Sequence, residues 1–217
     1  MRPFKIKPAD ENTVYLLSIP GSTQVTAMLM RTDEIAVPGN TVRGRLLSRY
    51  SGQLAFSELR EKQSLGYMAG AYYSVPGILP DNYSLWNVYL GTQADKLETG
   101  LDSMLAFSNT MPCSEELFEA SKENALSVLR ASRIHPENLY DVRADLLRLK
   151  RPLDVNLRDF KAISAMTADE FFADAAKHVN NGKNVIVLTG AVEKLSQEML
   201  KKYGKVITLT PDMLLVK

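Results

Sequence analysis

The position of its most strand-like segment constrains the fold of this chain more than any other feature. Residues 184–190, Asn-Val-Ile-Val-Leu-Thr-Gly, are rich in the β-branched residues that favour extended strands. Four other strand patterns lie before residue 91, and a long stretch of helical patterns separates them from this segment. The sheet must therefore be assembled from both ends of the chain, with residues 184–190 as a central strand.

Alternation of apolar and polar residues predicts the other strands. Because Pro20-Gly21 interrupts the chain between the first two strands, we expect them to form a hairpin. Residues 33–40 are interpreted as a loop that leads into a helix near Thr41. The strands are predicted at residues 13–19, 24–31, 67–75 and 83–90, with a short one at 206–209.

Apolar residues at helical spacing predict helices through the middle of the chain. The helix that begins near Thr41 is expected to be interrupted at Ser51-Gly52 and then to resume until about Gln63. Ser114 is a predicted N-cap, and Thr167 with Glu170 has the spacing of a capping box. Further helices are predicted at residues 96–108, from Pro136 to Pro152, and at 192–202.

These elements predict an α+β domain of two layers, with a largely antiparallel sheet and the helices packed on one face. We expect a single domain over residues 13–210, with residues 1–12 as a linker or arm and residues 211–217 as a C-terminal tail. The length of 217 residues is sufficient for a hydrophobic core, and 45% hydrophobic and 24% charged residues are ordinary globular values.

Composition excludes several classes of partner. The net charge of +1 gives no electrostatic footprint for nucleic acid or for an anionic membrane surface. The first residues lack the apolar segment of a secretory signal, and no stretch is long and apolar enough to span a membrane. Both a cytoplasmic and a periplasmic location are therefore compatible with the sequence. Cys113 is the single cysteine, which excludes an intrachain disulfide, and we predict an inert thiol that is buried or half-buried.

Residues 57–67, Ser-Glu-Leu-Arg-Glu-Lys-Gln-Ser-Leu-Gly-Tyr, have the pattern of a helix end, a glycine stop and the first residue of a strand. Gly66 can adopt the left-handed conformation that ends a helix at low cost. Arg60 and Tyr67 would then lie on either side of the corner, so that a guanidinium and a phenol project close together. On spacing alone, we favour a solvated arginine at a helix end, stabilised by the helix dipole, and a core tyrosine.

Residues 59–67 resemble the LRE-x-x-x-LGY signature of the pitrilysin/insulinase (M16) family of zinc peptidases, and in particular of the half that lacks the metal site. The resemblance implies a processing-peptidase-like metallohydrolase fold. It also implies that Arg60 and Tyr67 reach across to the partner half and bind substrate at its zinc. By the same resemblance Tyr72 and Tyr73 could line the substrate chamber, but we favour ordinary sheet packing for these two residues.

The chain lacks the inverted His-x-x-Glu-His motif that binds zinc in that family. Its two histidines, His135 and His178, are far apart in sequence, and we assign His178 a structural or solvent-exposed position at a helix end. Paired acids such as Asp33-Glu34 are interpreted as turn or helix-start residues. We therefore predict no metal ligand and no catalytic residue in this chain alone, no cofactor of its own, and zinc in the partner half.

The predicted function is that of a non-catalytic, substrate-binding domain that completes the active site of a zinc metallopeptidase. Its partners would be a metal-bearing half, on the same polypeptide or on a separate subunit, and a peptide substrate. The alternative is a catalytically inactive subunit of the same family with a structural or interaction role. A His-x-x-Glu-His motif in the parent or adjacent reading frame would distinguish the two.

Overall fold

The chain forms an α+β domain, as predicted, with a six-stranded mixed sheet and helices packed on one face. The computed structural model describes residues 5–37, 40–61, 67–76, 82–151 and 153–214. The strands are β1 Thr13–Ser18, β2 Gln24–Ile35, β3 Met68–Ser74, β4 Tyr83–Gln93, β5 Asn184–Gly190 and β6 Lys205–Thr208. The helices are α1 Asn40–Ala55, α2 Leu97–Asn109, α3 Glu115–Ala131, α4 Leu139–Arg148, α5 Val155–Ala165, α6 Ala168–Val179, α7 Gln197–Lys201 and α8 Pro211–Leu214.

The strand order is β3-β4-β2-β5-β1-β6, so the last long strand of the chain lies in the middle of the sheet. Strand β2 is antiparallel to both β4 and β5, and β3 is antiparallel to β4. Strand β1 is parallel to β5 and to β6. The prediction that residues 184–190 form a central strand in the same sheet as residues 67–75 is confirmed.

The predicted β1–β2 hairpin is wrong, because β5 lies between the two strands. Val187 is aligned with Tyr15 of β1 on one side and with Met28 of β2 on the other. The turn signal at Pro20-Gly21 correctly predicts that the chain reverses there. A turn signal carries no information about a third strand that arrives from a distant part of the sequence.

Alternate strand residues point toward the helical layer and form the core. Along β2, buried and half-buried residues alternate, which means that one face of the sheet is covered and the other meets solvent. Trp86 is fully buried on the covered face, and its ring stacks on Phe107 of α2 at a centroid distance of 6.4 Å. Helix α1 contributes Leu46, Leu47 and Tyr50 to the same core.

Helix α1 continues through Ser51-Gly52, so the predicted interruption there is wrong. Ser51 is fully buried, and its hydroxyl donates to the carbonyl oxygen of Ala71 on β3 at 3.2 Å. A Cβ added at Gly52 would lie 3.4 Å from that same oxygen. These two small residues therefore bring the helix close to β3, and they mark a packing contact rather than a helix end.

Side chains of α1 also cover the outer edge of β3, which is an edge strand. The backbone N–H of Tyr73 donates to Ser48 Oγ at 3.0 Å, and the same hydroxyl donates to the Tyr73 carbonyl at 3.0 Å. Ser51 satisfies the Ala71 carbonyl on the same edge. Three backbone groups that this edge strand would otherwise offer to another chain are thus paired within the molecule.

The predicted helix starts in the second half are largely confirmed. Ser114 caps α3 by accepting from the N–H of Leu117, and Thr167 with Glu170 forms the capping box of α6. The predicted helix at 192–202 is a 3₁₀ turn, Val192–Lys194, followed by α7 after an N-cap at Ser196. The predicted stops at Gly66 and Pro152 lie outside the described residues.

Helix α5 was not among the predicted elements. Its buried side chains are Ile163 and Asp159, so a carboxylate replaces an apolar residue on its inner side and weakens the helical pattern. Asp159 accepts from Arg45 Nε at 3.0 Å and from Arg158 at 2.7 Å. The charge that obscures the pattern in the sequence is paired in the fold.

Residues 5–12 belong to the segment predicted as a linker or arm, and they form hydrogen bonds with the domain. The N–H of Ile6 donates to Asn82 Oδ1 at 2.7 Å, and Asn12 Oδ1 accepts from the N–H of Asn184 at 2.9 Å. Among the described residues, no helix combines the length and apolar character that a membrane crossing requires.

Candidate functional site

The corner predicted to carry Arg60 and Tyr67 lies at the β3 side of the sheet. Helix α1 widens into a π-helix at Phe56–Glu61, and Leu59 in this segment is buried in the core. π-Helical turns are rare and are frequently found at functional sites. Residues 62–66, the middle of the signature, lie outside the described part of the chain. The flanking residues are therefore the ones that define the geometry.

Arg60 is exposed on this π-helical turn. Its guanidinium carbon lies 4.6 Å from the ring centroid of Phe56, at the distance of a cation–π contact. Within the described ranges, no hydrogen bond or ion pair joins the Arg60 side chain to another residue. Its N–H donors are therefore available at the surface.

Tyr67 is held by its backbone and ring while its hydroxyl stays at the surface. The N–H of Tyr67 donates to the Gly91 carbonyl on β4 at 3.1 Å. Its ring lies over Gly91, where an added Cβ would be 2.7 Å from the ring, so only glycine permits this contact. The side chain is nevertheless 51% exposed, and in the described part of the chain its hydroxyl has no hydrogen-bond partner.

A cavity of about 190 Å³ adjoins the π-helical turn. It is lined by Glu58 and Leu59 from this turn and by Phe107 and Pro112 from α2 and the connection that follows it. Neither Arg60 nor Tyr67 lines this cavity, and the pair itself is exposed at the β3 side of the sheet. Whether the pair binds substrate stays a prediction.

Tyr72 and Tyr73 point to opposite faces of the sheet. Tyr73 is buried, and its hydroxyl donates to Asp33 Oδ2, so the sheet-packing interpretation is confirmed for this residue. Burial and the neighbouring carboxylate of Asp33 raise the pKa of Tyr73. Tyr72 is half-buried on the open face, with its ring centroid 6.4 Å from that of Tyr89.

A buried charged cluster lies where β2, β3 and α6 meet, and Asp33 is its centre. Asp33 accepts from Tyr73, from His178 Nδ1 at 2.8 Å and from Asn181 Nδ2 at 2.9 Å. Strand β2 extends to Ile35, so the interpretation of Asp33 as a turn residue is wrong. His178 is buried near the end of α6 and has the structural role predicted for it.

Arg43 of α1 extends this cluster toward the surface. Its guanidinium donates to both carboxylate oxygens of Asp174 at 2.8 Å and to Glu34 Oε1 at 3.0 Å. Burial alone would raise the pKa of Asp174, but the hydrogen bonds and the positive charge of Arg43 outweigh that effect and lower it. Asp174 Oδ1 also lies 3.4 Å from His178 Nε2, so the histidine is flanked by two carboxylates.

Asp33, Glu34 and His178 each offer a ligand atom, and these atoms lie within 4.8 Å of one another. Sequence reasoning missed this grouping because β2 and α6 are far apart along the chain. The three residues do not fit a zinc site. Asp33 already accepts from Tyr73, His178 and Asn181. The guanidinium of Arg43 donates to Glu34, and its positive charge opposes a bound cation there. The grouping is a hydrogen-bonded ion-pair network.

Arg31 is a second buried cation. Its hydrogen-bond partners are neutral carbonyl and amide oxygens rather than a carboxylate. Its guanidinium donates to the carbonyls of Ser108 at 3.1 Å and Val179 at 2.9 Å, near the ends of α2 and α6. It also donates to the side chains of Asn109 at 2.6 Å and Asn184 at 2.7 Å. Burial lowers its pKa, and the negative ends of two helix dipoles stabilise the charge.

The remaining singled-out residues are peripheral. Cys113 is exposed in the connection between α2 and α3, so the prediction of a buried or half-buried thiol is wrong. The adjacent Ser114 is fixed by its role as N-cap, which leaves Cys113 on the solvent side. His135 is exposed with Nδ1 3.7 Å from Glu137.

Comparison with solved structures shows which fold this is. The chain is similar to a peptidase M16 inactive domain from Pseudomonas fluorescens, with a TM-score of 0.65 and 19% identity over 87% of this chain and 46% of that one. It is also similar to a protease from Helicobacter pylori, with a TM-score of 0.67 and 14% identity over 87% of this chain and 47% of that one. For the periplasmic protease PqqL from Escherichia coli the TM-score is 0.62 and the identity 12%, over 83% of this chain and 21% of that one.

The resemblance predicted from residues 59–67 is thus confirmed at the level of the fold. No protein-family model matches the sequence, and no curated protein matches it. The chain spans less than half the length of each of these solved structures.

Proposed function

We propose that this chain is the non-catalytic, substrate-binding domain of an M16-type zinc metallopeptidase. In this proposal it completes the active site of a half that carries the His-x-x-Glu-His motif. The observation that carries the proposal is the exposed pair Arg60 and Tyr67, within a signature-like segment, on a fold shared with an M16 inactive domain. A fold alone implies no function, so the proposal depends on these two side chains.

The chemistry that the pair can supply is hydrogen-bond donation to a substrate. When a peptide bond is hydrolysed, negative charge develops on its carbonyl oxygen, and preorganised donors stabilise that charge. Zinc in the partner half would polarise the carbonyl and lower the pKa of a bound water. Tyr67 has one O–H donor and Arg60 a planar fork of N–H donors, and both are donors at neutral pH. Neither is committed to a described internal acceptor.

The proposal also requires a partner, and the coverage of the solved structures supports one. Two of the similar chains are about twice as long as the matched segment. We expect the zinc ligands to lie on such an additional part, on the same polypeptide or on a separate subunit.

The test is reconstitution with the metal-bearing half from the parent or adjacent reading frame, with a quenched fluorescent peptide as substrate. Alone, the chain should contain no stoichiometric zinc after washing with a chelator and should cleave no peptide. In the reconstituted enzyme, Tyr67→Phe should lower kcat by on the order of 10²-fold, the effect of losing one oxyanion donor. Arg60→Lys should also lower activity, because an ammonium cannot reproduce the planar fork.

Two matched substitutions control for general effects. Tyr140→Phe and Arg133→Lys change exposed residues away from the corner and should leave activity unchanged. All four variants should unfold at the same denaturant concentration as the natural chain, because exposed substitutions typically change stability by less than about 0.5 kcal/mol. Unchanged activity of Tyr67→Phe and Arg60→Lys would contradict the proposal and favour the inactive-subunit alternative.

A further inference from the structure

Arginine side chains are concentrated where α1 meets α5 and the end of β3. Arg45 and Arg49 lie about one turn apart on α1. Arg158 lies on α5, and Arg151 lies in the connection that precedes this helix. All four are half-buried, and within the described ranges neither Arg49 nor Arg151 is paired with a carboxylate. Positive charge is therefore concentrated here, although the net charge of the chain is only +1.

A buried carboxylate orients two of these arginines. Asp159 is fully buried and accepts from Arg45 Nε at 3.0 Å and from Arg158 Nη2 at 2.7 Å. Arg45 is held further by Asn156, whose Oδ1 accepts from Nη2 at 2.9 Å. The side chains of Arg45 and Arg158 are nevertheless 31% and 32% exposed. The two guanidiniums are thus fixed from the interior while part of each still meets solvent.

Arg151 adds a further positive charge close to this pair. Its Nη2 donates to the carbonyl oxygen of Pro76, directly after β3, at 2.8 Å. Burial lowers the pKa of Arg151, and the positive charges of Arg158 and Arg45 lower it as well, against the opposing charge of Asp159. Because like charges in a partly buried region repel one another, a bound anion would relieve this repulsion.

Arg43 on the same helix shows the contrast with a neutralised arginine. It donates to both carboxylate oxygens of Asp174 and to Glu34, so two acidic residues surround one guanidinium. Arg45 shares a single carboxylate with a second arginine, and in the described structure its Nη1 has no acceptor. The planar forks of Arg45 and Arg151 therefore retain N–H donors of the kind that bind carboxylates.

A cavity of about 250 Å³ adjoins the arginine cluster. It is lined by Thr41, Gly44 and Arg45 of α1 and by Tyr73 and Val75 at the end of β3. Its walls thus combine a cation with mainly apolar residues. In such surroundings a bound side chain is partly removed from water, and the attraction between opposite charges is stronger than in bulk solvent.

The cavity and the corner described above lie at opposite ends of one edge of the molecule. Helix α1 is antiparallel to β3 along this edge, since Ser51 bonds to Ala71 and Gly44 lies against Val75. From Tyr67 to Val75 an extended chain spans about 26 Å, or about eight residues. A peptide that runs along this edge from the corner therefore reaches the arginine cluster with a residue about eight positions from the cleaved bond.

We propose that the cavity beside Arg45 and Arg151 is a subsite for an acidic side chain of an extended peptide. The carboxylate of Glu or Asp would accept from these two arginines, and the aliphatic part of that side chain would contact Val75. Arginine clusters are a recurring means of recognising acidic peptide motifs. The identification of this peptide as a substrate rests on the proposed function, whereas the binding of the acidic group does not.

The first test measures binding to the full chain, without the metal-bearing half, by fluorescence anisotropy. The probe is a short labelled peptide with an amidated C-terminus and a Glu-Glu pair, and the control peptide has Gln-Gln in its place. We expect the Glu peptide to bind at least about tenfold more tightly at low ionic strength, because hydrogen bonds to a charged acceptor are the stronger ones. Added NaCl should reduce the difference, since salt screens exposed charges.

Variants of the chain then identify the site. Arg151→Gln should weaken binding of the Glu peptide about tenfold and has no described carboxylate partner to lose. Arg45→Gln should have a similar effect, and thermal unfolding checks its fold because it also loses the ion pair with Asp159. Lys201→Gln removes the same charge from α7, beside the opposite edge of the sheet, and should leave binding unchanged.

A second test separates this inference from the proposed function. In the reconstituted enzyme, Arg151→Gln should raise KM rather than lower kcat for a substrate with Glu about eight residues from the cleaved bond. If Tyr67→Phe and Arg60→Lys leave activity unchanged while the Glu peptide still binds through Arg45 and Arg151, the proposed function is wrong and the acidic-peptide site stands.

Three results would overturn the inference. The first is equal binding of the Glu and Gln peptides. The second is an equal loss of binding in Lys201→Gln, which would mean a general effect of net charge. The third is inorganic phosphate that binds to Arg45 and Arg151 as tightly as the Glu peptide does. In that case the site binds a free oxyanion, and its assignment to a peptide side chain is wrong.

Discussion

At the residue scale, the carboxylate of Asp33 connects parts of the chain that are distant in sequence. It accepts hydrogen bonds from Tyr73 on β3 and from His178 and Asn181 at the end of α6, and it is itself buried. The donors gain a charged acceptor in an environment with little water. An unpaired member of such a network costs far more than the net contribution of the intact network.

We expect Asp33→Ala to lower the free energy of unfolding by about 3–5 kcal/mol, because it leaves three donors without their acceptor in the interior. Glu34→Ala is the matched control. The Glu34 side chain lies next to Asp33 in sequence but is 40% exposed, and its described ion pair with Arg43 lies near the surface. It should cost about 1 kcal/mol or less. Urea unfolding with equal m-values measures both, and similar losses for the two variants would contradict a central role for Asp33.

Asp174 should make stability depend on acid pH. Arg43 lowers its pKa in the folded chain, so the folded state holds the Asp174 proton less tightly than the unfolded state. The stabilisation is complete above the unfolded value of about 3.9 and is lost as the pH falls through the folded pKa. Asp174→Asn should therefore flatten the decrease of unfolding free energy on the acid side, measured by denaturant unfolding from pH 7 downward. Asp141→Asn on α4 is the control, and an equal flattening there would contradict this assignment.

At the element scale, we expect substitutions of two buried serines on helices to have opposite effects on stability. Ser51 of α1 donates to the Ala71 carbonyl on the edge of β3. Ser121 of α3 is equally buried, but its hydroxyl has no hydrogen-bond partner in the described structure. Removing a partner leaves a buried polar group unsatisfied, whereas removing an unsatisfied group relieves a cost.

Ser51→Ala should thus destabilise the chain by about 1–2 kcal/mol, and Ser121→Ala should be neutral or stabilising by up to about 1 kcal/mol. Both substitutions remove the same atom from a fully buried helix position, so differences in volume cancel. Thermal and denaturant unfolding would measure the pair. Equal destabilisation would mean that the contact of α1 with the β3 edge contributes nothing specific.

Local elements could be predicted from the sequence because their signals are local. The N-cap at Ser114 and the capping box at Thr167 depend on residues three positions apart, and the strand at residues 184–190 on its own composition. The apparent break at Ser51-Gly52 had another cause. The small residues there allow α1 to approach β3 closely. Nothing in a single sequence indicates which strand a helix will approach.

At the scale of the whole molecule, the predictions failed where distant segments meet. The insertion of β5 between β1 and β2, and the union of Asp33 with His178, join the two ends of the chain. The candidate site shows the same difference between features that are local in sequence and features that depend on a distant segment. Arg60 and Tyr67 could be predicted because a contiguous segment carries them, whereas the support of Tyr67 by Gly91 comes from the neighbouring strand.

The position of β1 in the sheet also has a consequence for synthesis. Strand β1 pairs with β5 and β6, and both are made only after the helical middle of the chain. At a translation rate of roughly 5–20 residues per second, β1 waits on the order of ten seconds or more for its first neighbour. During that time β2, β3 and β4 can already pair, while β1 remains a nascent apolar segment with unpaired backbone. During synthesis we therefore expect β1 to be the strand of this domain most prone to aggregation.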